Sequence, residues 1–213
     1  VAGDAPRDLP FLPLVHSGAL DAPGGSLPQA AATFAPLEPQ LFSLAWLITG
    51  GHDGVAAYVV AQAREQFVSS WSGAIDPVAY ARLVLVPRAC RAAARVEPQL
   101  TGTELLDQLL AVPPRARAAL VLHEALGLDD AASGQLLEID QHDAASLQRH
   151  ALGACRFAGV PELVRTTFDE QVVRVVMHGV PAPTRPRRRR KPLLIGAIVT
   201  IALLAGLLTW CVL

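Results

Sequence analysis

Val112-Pro113-Pro114-Arg115-Ala116-Arg117-Ala118-Ala119-Leu120-Val121-Leu122-His123-Glu124-Ala125-Leu126-Gly127-Leu128 decides how this chain is read. Proline at a helix's first turn loses no hydrogen bond, and glycine just past the last turn supplies the stop. The stretch is therefore a helix from Pro113-Pro114 to Leu126. A short helix follows from Asp129 to Leu137, and Asp140 opens another in which Ala144, Leu147 and Ala151 face inward. This is a helix-turn-helix layout, assigned to residues 113–157.

Upstream of it the chain is also helical. Leu41, Leu44, Ala45 and Ile48 mark one apolar face ended by Gly50-Gly51, and Val55, Val59, Ala63, Phe67 and Trp71 recur at steps of four. A third helix starts at Asp76-Pro77 and runs to about Arg95, with an interruption predicted near Pro87. Residues 38–96 thus form a three-helix unit. A linker at 97–112 carries a short helix with Leu105, Leu106, Leu109 and Leu110, capped by Thr101 or Thr103. Residues 1–37, rich in Pro, Ala and Gly, read as a disordered arm.

Downstream, residues 158–180 hold an amphipathic helix with Val164, Phe168, Val172 and Val175 inward and a Glu170/Arg174 pair outward. A Pro/Arg-rich spacer at 181–192 follows. Its Arg185, Arg187, Arg188, Arg189, Arg190 and Lys191 precede 193–213, a run without a charged residue. A helix of that length spans about 31 Å, the thickness of a bilayer's hydrocarbon core. The run is predicted to cross the inner (cytoplasmic) membrane once, with the basic cluster held on the cytoplasmic side against anionic lipid and Trp210 near the far interface. A further domain beyond Leu213 stays open.

The net charge of -1 conceals an asymmetry. Six of the eighteen basic residues lie between Arg185 and Lys191, so the first 184 residues carry twelve basic against nineteen acidic groups. That balance opposes strong non-specific nucleic-acid binding. Cys90, Cys155 and Cys211 form no CxxC pair, and the chain contains no HExxH or Gly-rich phosphate loop. The sequence therefore points to no catalytic residue, metal site or cofactor, and to no enzyme.

The two helical units, in this order, resemble regions 2 and 4 of the sigma-70 family, specifically the extracytoplasmic-function sigma factors. Leu41-Phe42-Ser43-Leu44-Ala45-Trp46-Leu47-Ile48-Thr49-Gly50, Glu65-Gln66-Phe67-Val68-Ser69-Ser70-Trp71 and Asp76-Pro77-Val78-Ala79-Tyr80 look like region 2, and Val112 to Leu128 looks like the opening of region 4. The resemblance implies an all-α fold of two small domains plus one transmembrane helix. It also implies core RNA polymerase as partner, engaged through Arg64 and Glu65. It implies promoter DNA as a second partner, met by Arg82, Arg88 and Arg91 in the first unit and by Gln141, His142, Ser146, Gln148, Arg149 and His150 in the second.

The departures are specific. Val60 and Ala61 stand where the family carries an acidic pair, and Leu85, Val86 and Pro87 stand where it presents polar and aromatic groups to melted DNA. Tyr80 occupies a typical tryptophan position, Glu138 that of the turn glycine and Ala145 that of a lysine. Asp140 and Asp143 put negative charge at the start of the recognition helix, against the phosphate field. Two functions follow: a membrane-anchored sigma-like transcription regulator, or an adaptor of the same architecture that binds a membrane or regulatory protein without reading DNA.

Overall fold

A computed structural model describes residues 27–157 and 159–186. Within them the chain is all helical: α1 (Leu27–Phe34), a single 3-10 turn (Ala35–Leu37), α2 (Glu38–Thr49), α3 (Asp53–Ser70), α4 (Pro77–Ala93), α5 (Glu104–Ala111), α6 (Pro114–Leu126), α7 (Asp130–Leu137), α8 (Gln141–Ala154) and α9 (Val160–His178). The segment 193–213 and residues Arg187 to Lys191 lie outside the described residues. Among the described residues no helix is long and apolar enough to cross a membrane.

The hub is α2. Its last nine residues, Leu41 to Thr49, are all buried, as expected of a helix apolar on every side. The hydroxyls in that run are satisfied within the helix, Ser43 donating to the Pro39 carbonyl at 2.9 Å and Thr49 to that of Trp46 at 3.3 Å. Helices α3, α4, α6 and α9 pack around it. The face carrying Leu41, Leu44, Ala45 and Ile48 is therefore only part of what α2 buries. Phe42 and Trp46 lie on a further surface, beneath the Arg174 guanidinium of α9 at 5.7 and 6.0 Å from their ring centres.

Two contacts bind the sequence halves into a shared core. Arg117, 1% exposed, reaches from α6 to the ends of two other helices: Nη2 and Nε donate to the Ile48 carbonyl at 2.7 and 3.3 Å, while Nη1 donates to the carbonyls of Val112, at 2.9 Å, and Leu110. Those acceptors sit at the carboxyl ends of α2 and α5, where unpaired carbonyls and the helix dipole concentrate negative potential. Burial lowers the guanidinium pKa to about 10, so it remains charged at neutral pH. Gly50, at φ 82°, ends α2 beside it; a Cβ there would lie 3.1 Å from Pro98 Cα and 3.2 Å from Arg117 Nη2. Its carbonyl accepts from Gln99 N at 2.7 Å, which fastens the linker to the same spot.

The second contact is Arg174 of α9, which forms a bidentate pair with Asp53 at 2.6 and 3.0 Å. This corrects the outward Glu170/Arg174 pairing. Side chains four apart on a helix compete with any partner that tertiary packing offers, and a planar fork facing a carboxylate over two aromatic rings is the better site.

Three further expectations change. Residues 27–37 are ordered as α1 and the 3-10 turn, with Ala30 and Phe34 fully buried, so the disordered arm does not extend to residue 37. Helix α4 runs through Pro87 without a break. The lost hydrogen bond costs about 3 kcal/mol in an isolated helix, but Leu85, Val86 and Ala89 on either side are fully buried and hold the helix in place. Neither Thr101 nor Thr103 caps α5 through its side chain. Asp107 reaches back instead, accepting from Thr101 N at 2.6 Å, Thr101 Oγ1 at 2.9 Å and Gly102 N at 3.2 Å. These bonds to the charged form hold the Asp107 carboxyl below its ordinary pKa.

Candidate nucleic-acid interface

Helices α7 and α8 form the predicted helix-turn-helix, and each begins on an aspartate cap. Asp129 accepts from Ala132 N at 2.7 Å and Asp140 from Asp143 N at 2.8 Å. Between them Glu138 adopts the left-handed conformation, φ 57° and ψ 46°. The turn is therefore as tight as a glycine would make it, closed by Glu138 N to the Gln135 carbonyl at 3.3 Å and Ile139 N to the Gly134 carbonyl at 3.0 Å. The glycine this turn needs for space is Gly134, where a Cβ would lie 2.9 Å from the Ile139 carbonyl oxygen. Because a side chain in the left-handed region is strained by roughly 1–2 kcal/mol, Glu138→Gly is expected to stabilise the protein by about 0.5–1 kcal/mol after the added chain entropy of glycine is subtracted. A urea titration checks it; an unchanged or lower midpoint would show that the Glu138 side chain makes compensating contacts.

Helix α8 packs on α6 through Ala144 and Ala151, both buried, with Leu147 half-buried. That orientation leaves Gln141, His142, Ser146, Arg149 and His150 exposed, and Gln148 half-buried. His142, Ser146 and Arg149 fall at i, i+4 and i+7, a single stripe able to donate to base edges or phosphates. Arg149 Nε donates back to the Ala145 carbonyl at 3.3 Å. Asp143 is exposed beside the stripe, while the Asp140 carboxylate is occupied by its cap.

The arginines of α4 do not join into a track. Arg82 and Arg91 are nine residues apart, about two and a half helical turns, and so leave opposite sides of the helix. Arg82 is half-buried between the two units, near Leu126 on one side and Leu136 on the other. Burial lowers its pKa, with Asp76 opposing. Arg88 is used internally, donating to the Val84 carbonyl at 2.7 Å and to Gln66 Oε1. Its pKa is lowered by burial and then by Arg91. Arg91 is exposed and borders a cleft of about 330 Å³ that Arg115 and Glu138 also line. Tyr80 packs its ring against Phe67, centres 5.7 Å apart, and so belongs to the core of the first unit.

On α3, Arg64 and Glu65 are exposed, Ala61 is half-buried and Val60 is 1% exposed. An unpaired carboxylate could not occupy position 60 at acceptable cost, so valine there goes with a covered face. Arg185 is exposed. With Pro183 it lines a concavity of about 410 Å³ together with Tyr58, Ala61, Gln62 and Glu65 of α3. Arg185, read from the sequence as a membrane-surface group, and Glu65, read as a polymerase-binding one, thus line the same concavity.

Cys90 and Cys155 are buried thiols, pushed up in pKa by loss of water, Cys90 to about 11. Among the described residues no cluster of His, Cys, Asp and Glu is arranged to hold a metal ion. Sequence reading missed Arg117, Asp53 with Arg174, and Gly134. The available signal was in Asp53, in a first helical turn where a dipole contact is common, and in Gly134, a glycine inside a helix. No known protein family, no curated protein and no solved structure matches the chain.

Proposed function

We propose that this protein is a membrane-anchored, sigma-like transcription regulator in which the two helical units are held against each other. The observation carrying this reading is the α7–α8 helix-turn-helix: two capped helices, a tight left-handed turn and the His142, Ser146, Arg149 stripe exposed on the second. Its mechanism is non-covalent. The first unit engages core RNA polymerase, the second engages promoter DNA, and the C-terminal segment confines both to the cytoplasmic face of a membrane. Packing of α7 on α4 supports a closed form, since α4 is the helix that would meet melted DNA.

A second reading, an adaptor binding a protein partner without DNA, is favoured by Asp143 beside the recognition stripe and by the scattered arginines of α4. Single-strand capture needs stacking faces along a basic track, and neither is assembled here. Because Arg117 and Arg174 link the halves, the test uses the full chain in nanodiscs. In fluorescence anisotropy with promoter DNA at two salt concentrations, Arg149→Ala is expected to weaken binding at every sequence if it holds phosphate, or to relax one base position by about 1–3 kcal/mol. Asp140→Asn with Asp143→Asn is expected to tighten binding, asparagine keeping the cap. No salt-dependent binding by the parent, with none lost on Arg149→Ala, would establish the adaptor instead.

A further inference from the structure

We infer that the carboxyl end of α9 is a lipid-contacting surface: Val173, Val176 and Met177 sit in the headgroup layer of the membrane and seat the helical domain end-on against it. The inference rests on the reading, proposed above, that 193–213 crosses that membrane.

Side chains three and four apart share one face of a helix. Val173, Val176 and Met177 are so spaced, and they are 60, 66 and 73% exposed. No other helix among the described residues exposes three large apolar side chains. One such residue on a surface needs no explanation, whereas a cluster marks a contact. The same face changes character along α9. Upstream of the cluster it exposes Glu162, Asp169 and Glu170, while Gln171 to His178 contains no acid and carries Arg174 and His178. An anionic bilayer surface repels the first part and accepts the second, so α9 meets it by its end rather than lying flat.

Lipid is the apolar phase within reach of this cluster. Thr184 N donates to the Gly54 carbonyl at 2.7 Å, and a Cβ on Gly54 would lie 2.6 Å from Thr184 Cβ, so the backbone beyond α9 returns to the start of α3. Asp53, one residue before Gly54, holds Arg174, the chain neighbour of Val173. The chain therefore leaves the domain near the exposed cluster. From Pro186 to Leu193 it has seven residues, a reach of no more than about 25 Å. The basic side chains from Arg187 to Lys191 are drawn to the same anionic surface and shorten that gap. Because Arg174 locks α9 to α3, seating three side chains in lipid orients the whole domain.

The test places an environment-sensitive fluorophore on Val173→Cys, Met177→Cys and Thr166→Cys, one at a time. The full chain carries Cys211→Ser and is reconstituted in nanodiscs containing anionic lipid. Cys90 and Cys155 are buried with raised pKa and react slowly with the label at neutral pH. All three labelled positions are exposed, so circular dichroism should match the parent. Lipids spin-labelled in the upper acyl chain are expected to remove about half of the emission at 173 and 177, as for a face about 5–10 Å below the headgroups. Little should be lost at 166, about 16 Å along the helix from 177. Val176→Asp should free the probe at 177 from the quencher while the chain stays in the disc. A blue-shifted but unquenched emission at 173 and 177 would show cover by protein, a second copy included, and overturn lipid contact. A solvent-like spectrum there would overturn it too, and equal quenching at 166 would overturn the end-on seat. A chain that does not enter nanodiscs overturns the anchored reading and this inference with it, whereas entry without quenching overturns this inference alone.

Discussion

Arg117→Met is expected to lower the unfolding free energy by about 2–4 kcal/mol. The sign is not obvious, because two large terms oppose. Arg117 makes hydrogen bonds to the carbonyls of Ile48, Leu110 and Val112, and each charge-assisted bond is worth about 1.5–3 kcal/mol. Against this stands the cost of keeping a cation out of water, which lowers the guanidinium pKa to about 10. Methionine relieves that cost and fills most of the volume, but it leaves three buried carbonyls unpaired, so loss prevails. The linkage runs in a definite direction. Above about pH 10 the folded state releases this proton before the unfolded state does, so the cost of the charge is in full force at neutral pH and falls only beyond that point. Arg117→Lys should be at least as harmful as Arg117→Met, since an ammonium keeps the desolvation cost and cannot fork across two helix ends. Urea unfolding of the three proteins at pH 7 decides it, and a lysine variant as stable as the parent would refute the role given to the fork.

Phe67→Ala should destabilise by about 3–5 kcal/mol, the range for an aromatic removed from a packed core. Phe67 is fully buried, with ring centres 5.2 Å from Phe34, 5.1 Å from Trp71 and 5.7 Å from Tyr80. It joins α1 to the end of α3 and the start of α4. Besides the global loss, amide exchange in Leu27–Phe34 should accelerate more than in α6, because Phe34 loses the ring it leans on. Uniform acceleration across both helices would show that α1 is held by other contacts.

Helix α1 was hidden in the sequence for the reason this prediction exploits. Eight residues with two buried anchors, Ala30 and Phe34, preceded by a Pro- and Gly-rich stretch, carry no periodic signal of their own. The longer helices were legible because Val55, Val59, Ala63 and Phe67, or Ala144 and Ala151, repeat one face over several turns. Capping was legible where aspartate preceded a proline, as at Asp76. Arg117 was not, since nothing local separates it from Arg115 two residues earlier. One is exposed and the other is the largest fully buried side chain. For the candidate interface, the acidic start of α8 could be read from residues alone. The engagement of Arg88 with Gln66 could not, because it depends on how α3 meets α4.

The seat of α9 on α2 also sets an order of events during synthesis. Asp53 and Arg174 are 121 residues apart in the chain. At ribosomal speeds of about 5–20 residues per second, roughly 6–24 seconds pass between their appearances. Phe42 and Trp46 are made before that interval and lack the helix that shields them throughout it. Nascent chains of this protein should therefore present a sticky surface that the finished molecule lacks, and chaperones that survey emerging polypeptides have that long to find it.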